Sequence, residues 1–290
     1  MTTALLLTRY ADGERNFQLA DLHGFDLTGA DLSGADFTGA ELTDTVLTSA
    51  ILRETSFKAV RLAGMDLRGA DFTHANLGAA ELSQANLTNA DLSGATLAIA
   101  DLIGAHCAGA KFREANLTAA NLSHANLQNA DLFRARLRQA IFIEADLTGA
   151  HFTLASLGQA NFNMARLPDS HLTEADLAMA DLVMADFSRA QLQRANLAEA
   201  NLRYVNLSGA DLTEADLSGA NLTGANLAGA NLQYARLEGA NLTRAIVTGA
   251  NFAGARLAGA RLAQVAIAEM RAANLEGVVV DEARVDDSIR

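Results

Sequence analysis

The sequence predicts an all-β solenoid wound as a square coil, and three observations carry that prediction. A large apolar residue recurs at every fifth position from Phe17 to Ile267. Of these 51 centres, 48 are Leu or Phe, with Cys107, Val247 and Ile267 the exceptions. Two places before the centre the residue is Ala in 42 of the 51 units, and one place before it Asp or Asn stands in 30. Gly is frequent at the last position, as in Ala30-Asp31-Leu32-Ser33-Gly34 and Ala215-Asp216-Leu217-Ser218-Gly219.

Such a period suits neither ordinary element, because a helix repeats its apolar face near 3.6 residues and a flat strand at two. A unit too short to bury its own apolar side chain must stack on copies of itself. The geometry that turns every fifth Leu or Phe inward is a coil with one corner per unit and about four units per turn. Gly suits the corner, where a Cβ is costly. Asp and Asn before the centre bond local backbone and favour turns over helix. Ala beside the centre keeps the interior narrow enough to fill with side chains. About 13 coils at a strand spacing of ~4.8 Å predict a rod on the order of 60 Å long.

Repeated across nearly nine tenths of the chain, the A-(D/N)-L-x-x unit resembles the pentapeptide-repeat proteins. The stretch from Leu6 to Phe17 (Leu6-Leu7-Thr8-Arg9-Tyr10-Ala11-Asp12-Gly13-Glu14-Arg15-Asn16-Phe17) also resembles the N-terminal entry of cyanobacterial members. The resemblance implies a right-handed quadrilateral β-helix.

In chain order, residues 1–14 are expected to form an N-terminal cap, a short helix around Thr3 to Tyr10 with a loop. Leu5, Leu6 and Tyr10 would then lie over the open end of the first coil, since an uncovered edge invites end-to-end association. Residues 15–269 form the β-helix. Its first coils carry Phe25, Val60 and Met65 where Ala is usual, and Phe17, Phe37 and Phe57 fall one above another. Cys107 occupies a centre and reads as a small core residue. Pro168, the one proline in the chain, has no amide hydrogen and predicts a small irregularity around residues 166–170. Residues 270–290 are expected to form a C-terminal cap with degenerate repeats, or alternatively a dimer contact, so that the chain is a monomer or a C-terminally mediated homodimer.

The chemistry-bearing classes thin out quickly. Phosphate-binding, C-x-x-C and nucleophile-elbow motifs do not occur. His151 and His171 should stack in adjacent coils, but two imidazoles without a third ligand make a weak metal site. A filled interior offers a substrate no cavity. The expectation is a protein that is not an enzyme and takes no cofactor and no metal. Ala4 to Leu7 is too short for a signal-peptide core, and nothing approaches a membrane span, so the chain is expected to be soluble and cytoplasmic without a membrane contact.

Function must then lie on the surface. The net charge of −12 is spread over all walls, with an excess at Asp31, Asp71, Asp91, Asp131 and Asp211. Direct nucleic-acid binding is disfavoured because no wall carries a basic stripe. Met164, Met184 and Tyr204 share one position in three successive coils, with Ile141, Ile143, Val183 and Met179 expected beside them. An exposed apolar patch marks a partner site, and Met suits an adaptable contact. The sequence therefore predicts a non-catalytic interaction scaffold or regulatory adaptor for an unidentified protein partner. Because some pentapeptide-repeat proteins mimic DNA and bind type II topoisomerases, the resemblance supplies an alternative: a gyrase-binding DNA mimic that gives drug protection.

Overall fold

A computed structural model describes residues 2–265 of the chain. It contains two compact units, Met1–Asp146 and Leu147–Arg290. Each is a parallel β-helix with 20 residues per turn, its coils joined by bridges such as Asp71↔Asp91 in the first unit and Asn201↔Asn221 in the second. The expected C-terminal cap at residues 270–290 and the last expected centre, Ile267, lie outside the described residues.

Most five-residue repeats assign their amide hydrogens in the same way, and one repeat of the second unit shows all five. Leu212 and Glu214 donate to the next coil, at Asn231 and Gln233 (2.7 and 2.8 Å), while Asp211 donates to the preceding coil at Ala190 (2.9 Å). Ala215 closes the corner onto the Leu212 carbonyl at 3.0 Å. That leaves the amide of Thr213, which donates to the Asp211 side chain at 3.0 Å. The same side-chain bond recurs from Ser33 to Asp31 (3.0 Å) and from Ser208 to Asn206 (3.2 Å). A buried amide must find an acceptor, so the preference for Asp or Asn before the centre has a specific cause. It accepts the one hydrogen that ladder and turn do not use.

The corner has a fixed conformation. All 50 turn residues at five-residue intervals from Leu19 to Gln264 have positive φ, 18 of them Gly and 32 not. The third position of a type II turn requires this. It costs an L-residue roughly 1–2 kcal/mol, offset in each unit by the turn bond and the ladder bonds that the corner permits. The interior is built as the periodicity demands: the centres are buried along both units, and from Ala35 onward the Ala positions are too, Met65 excepted, while Ala20, Phe25 and Ala30 at the first coil are half-buried.

Pro168 corrects one expectation. No irregularity surrounds it: the bridge Arg166↔Asp186 is made, Asp169 keeps positive φ, and Gly149 donates to the Pro168 carbonyl at 3.0 Å. Pro168 stands at the place where the amide hydrogen would need a side-chain acceptor, and Arg166 supplies no carboxylate or amide oxygen there. Proline removes a donor with no use. Ser170, in the Ala position, buries its hydroxyl by donating to Leu167 at 2.6 Å.

The first unit opens with α1 (Thr3–Ala11), whose N-cap Thr2 accepts from the Leu5 amide at 3.2 Å. Leu6 is fully buried, and the Tyr10 hydroxyl donates to the Ser33 carbonyl at 2.9 Å. Leu5, expected over the coil end beside Leu6, is instead 49% exposed, because the helix turns only Leu6 of the two inward. Phe17, Phe37 and Phe57 stack with centroid separations of 5.6 and 5.2 Å.

The turn carboxylates give the fold a pH dependence. The Ser33 hydroxyl and then its amide hold the Asp31 carboxyl below its ordinary value, and Thr28 does the same for Asp26. At Asp71 burial pushes the carboxyl up, but the Thr73 hydroxyl and Arg53 together outweigh it, and the net shift is downward. A carboxyl with a depressed folded value contributes stability above its unfolded value of about 3.9, and that contribution is lost as pH falls through the folded value. The thermal midpoint is therefore expected to stay level from about pH 5 to 8 and to fall below about pH 4. A midpoint unchanged down to about pH 2 would contradict this role for the turn carboxylates.

Candidate functional site: an apolar row on the second unit

The positive-φ corner residue points its side chain away from the packed interior, so the identity of that residue sets the surface. In the second unit Met164, Met184 and Tyr204 occupy this place in three successive coils, joined through the bridges Asn161↔Asp181 and Asp181↔Asn201. They are 46%, 60% and 52% exposed. The Met164 amide donates to the Val183 carbonyl at 2.9 Å, and the Met184 amide to the Arg203 carbonyl at 3.0 Å. Val183 is half-buried and directly precedes Met184 in the chain. Its amide takes no part in the ladder and donates instead to the Asn163 side chain at 2.9 Å.

The Tyr204 ring lies over Gly224 of the next coil. A Cβ placed at Gly224 would come within 2.6 Å of its ring, so any larger residue there would push the ring from this position. The Arg203 guanidinium sits 5.6 Å from the ring centroid, within cation–π range. Tyr234 is 62% exposed and covers Gly254 in the same manner. Sequence reasoning missed it, although a tyrosine in the corner place followed twenty residues later by glycine is a readable signal.

The predicted residues do not all come together. Met179 is 55% exposed, but it occupies the corner of the preceding five-residue unit, a quarter turn away from Met184. Ile141 and Ile143 belong to the first unit and are half-buried, since their places in the repeat face partly into the coil. The row proper consists of Met164, Met184 and Tyr204, with Val183 inside it.

Other chemistry is weakly furnished. His151 and His171 stack at 4.4 Å between centroids with 7° between ring planes. Among the described residues no group of three or more His, Cys, Asp or Glu is arranged to hold a metal ion. Burial pushes the Cys107 thiol up to about 12, so it supplies no thiolate near neutrality. Among the described residues no helix is long and apolar enough to cross a membrane.

The acidic wall is substantially engaged. Asp71 pairs with Arg53 at 2.5 Å, Asp131 with Arg113 at 2.7 Å, and Asp91 with Lys111 at 3.3 Å. Asp211 accepts from Gln193 at 2.8 Å and from Asn231 at 3.3 Å.

A family model described as Pentapeptide repeats (8 copies) matches the chain in overlapping stretches from 16–53 to 150–189, and again over 190–229 and 225–264. Among solved structures, the chain is 36% identical to HetL, a pentapeptide repeat protein involved in heterocyst differentiation regulation from the cyanobacterium Nostoc sp. strain PCC 7120. That match covers 86% of this chain and 96% of HetL, with a TM-score of 0.39. A second similar structure is full-length QnrB1, a plasmid-mediated fluoroquinolone resistance protein, 18% identical over 90% of this chain and 94% of that one, with a TM-score of 0.29. A third is alr5209, a pentapeptide repeat protein from Nostoc PCC 7120, 36% identical over 35% of this chain and 69% of that one, with a TM-score of 0.19. No curated protein sequence matches the chain. Pentapeptide repeats wind as a right-handed β-helix, and the 20-residue register of each unit is that winding.

Proposed function

We propose, from the premise that the chain belongs to the pentapeptide-repeat family, that it is a non-catalytic adaptor whose second unit binds a partner protein. The observation that carries this reading is the row of Met164, Met184 and Tyr204, each about half exposed and in register on successive coils. Elsewhere on this corner of the second unit stand Gly224, Arg244 and Gln264, so the large apolar side chains are confined to three neighbouring coils. Tyr and Met are the side chains that interface cores favour. Met179 would extend the contact around the adjoining corner, and Ile141 and Ile143 are left outside it. A regulatory role draws support from HetL, which is involved in heterocyst differentiation regulation.

Mimicry of DNA draws less support. A duplex presents one charge per roughly 1.7 Å, whereas Asp71, Asp91 and Asp131 each carry a basic partner.

The test is affinity capture from a host lysate with the intact chain beside a variant carrying Met164→Ser, Met184→Ser and Tyr204→Ser. The corner residues pack no interior, so the variant should keep its thermal midpoint within about 2 °C, as surface substitutions do. A specific protein held by the intact chain and lost by the variant is the expected result. Undiminished capture of that protein by the variant would remove the row from the interface. Capture of topoisomerase subunits, insensitive to the row and weakened by salt, would put the mimic first.

A further inference from the structure

The ladder between coils opens at one place in the first unit. Bridges join Asp26 to Val46 and Asp66 to Asn86, but among the described residues none joins Glu41 to Arg61 or Val46 to Asp66. By the rule of the neighbouring coils, the amides of Leu42, Asp44 and Leu47 should donate to the carbonyls of Arg61, Ala63 and Asp66. Those of Arg61 and Asp66 should donate back to Ala40 and Thr45. None of these five bonds is made, although the other two walls of the same coils stay closed, with Leu52 to Asp71 and Phe57 to Asn76 both at 2.7 Å. Between the separated edges lies a cleft of about 460 Å³, lined by Thr43, Asp44, Val46, Arg61, Gly64 and Met65. That volume falls within the range of ligand sites.

The cause is legible in the repeat. Ala is the usual residue two places before a centre, and its methyl lets adjacent coils approach to ladder distance. Here Thr45 stands over Met65, with Thr55 and Val60 in the units between. Thr45 turns its hydroxyl toward the preceding coil, donating to Leu22 at 2.8 Å, and Met65 is half-buried where an alanine would be buried. The larger side chains hold the two edges apart.

Unsatisfied backbone groups require a partner. The two edges hold both amides and carbonyls that the ladder does not use, only the Asp66 carbonyl finding another partner in the Thr48 hydroxyl at 3.5 Å, so an anion would satisfy the amides and leave the carbonyls of Arg61 and Ala63 bare. A group that alternates N–H and C=O along its length satisfies both, and that group is an extended polypeptide backbone. The rim sets the sign of its side chains. Glu41 and Asp44 are exposed, while Arg61 is drawn to Glu81 at 3.2 Å and the Asp66 carboxylate is held by Arg68 at 2.6 Å. We propose that the cleft between the Thr43–Val46 and Arg61–Asp66 edges takes a short extended segment of a partner polypeptide, with basic side chains, which adds to the open edges as a strand. This site lies wholly within the first unit and does not rest on the Met164–Tyr204 row.

Amide hydrogen exchange on the full chain tests it, with the peptide acetyl-Lys-Val-Lys-Val-Lys-amide as probe. In the free protein the amides of Leu42, Asp44, Leu47, Arg61 and Asp66 should exchange at least about 100-fold faster than those of Leu52 and Phe57. Saturating peptide should slow the five by about tenfold or more and leave Leu52 and Phe57 unchanged. The acidic counterpart acetyl-Glu-Val-Glu-Val-Glu-amide should bind at least about tenfold more weakly, as complementary charge requires. Thr45→Ala with Met65→Ala restores the common repeat and should close the ladder, so that the five amides are slow without peptide and indifferent to it. Slow exchange of these amides in the free wild-type chain would overturn the proposal, as would basic peptide that leaves them fast. Equal binding of the acidic peptide would overturn the charge assignment and with it the proposed partner.

Discussion

Phe37→Ala is expected to lower the stability of the first unit by about 3–5 kcal/mol, the usual cost of deleting a buried phenyl group. Phe37 is 1% exposed and stands between two other rings, with interplanar angles of 18° to Phe17 and 20° to Phe57. Each stacked pair adds roughly 0.5–1.5 kcal/mol beyond buried area, and the substitution removes two such pairs along with the filled volume. Phe37→Leu provides the control. Leu is the commonest residue at the centre, so this change keeps most of the packing while losing the stack, and should cost only about 1–2 kcal/mol. Urea unfolding of both variants, read beside exchange at the Phe17 and Phe57 amides, separates the two contributions. Equal losses for Ala and Leu would mean that the rings act through stacking rather than through filling the coil.

Leu217→Asp is expected to be the more damaging change, at about 4 kcal/mol or more at neutral pH, because it places an unpaired carboxylate in a dry interior. Leu217 is fully buried, and its amide already donates to the Arg236 carbonyl at 2.7 Å, so the backbone offers the new side chain no spare donor there. The sign of the pH effect is opposite to that of the wild-type turn carboxylates. Burial raises the folded pKa of the introduced group above the unfolded value of about 3.9, so the folded state prefers the protonated form. The penalty is greatest above the raised value and shrinks as pH falls through it. The gap between wild type and variant in urea midpoint should therefore narrow between about pH 7 and pH 4.5. A gap that stays constant over this range would show that the aspartate escapes to solvent by opening the coil.

The interior was legible because it depends on one spacing and little else. Every centre from Phe17 to Leu262 that the sequence turns inward is buried. The corner was half legible. Frequent glycine pointed to a bend, but the same conformation is imposed on Glu54, Met184 and Tyr204, whose identity gives no hint of it. There the ladder overrides local preference. Pro168 misled for a related reason: its missing hydrogen does matter, but which hydrogen the repeat leaves unused emerges only from the bond pattern.

The candidate site was legible as a 20-residue coincidence of Met164, Met184 and Tyr204. Of its flanks, Val183 adjoins the row and Met179 stands at the neighbouring corner, while the half-burial of Ile141 and Ile143 depends on their places within the repeat. The cleft had a faint signature in Thr45, Thr55, Val60 and Met65. Val60 and Met65, with Phe25, suggested bulk near the N-terminal end, but Thr45 and Thr55 went unremarked, and nothing suggested that adjacent coil edges would be forced apart.

The 20-residue register has a consequence for how such a chain can change. Within the second unit, the core is indifferent to which of the four walls a repeat occupies, because each wall presents the same Ala and Leu or Phe to the inside. The surface is not indifferent. Deleting one repeat, say Ala190 to Arg194, would leave each later centre buried and each corner closed, yet carry Tyr204 a quarter turn away from Met164 and Met184. A lineage of these proteins can thus gain or lose repeats in fives with little effect on folding, while a binding face survives only length changes made in twenties.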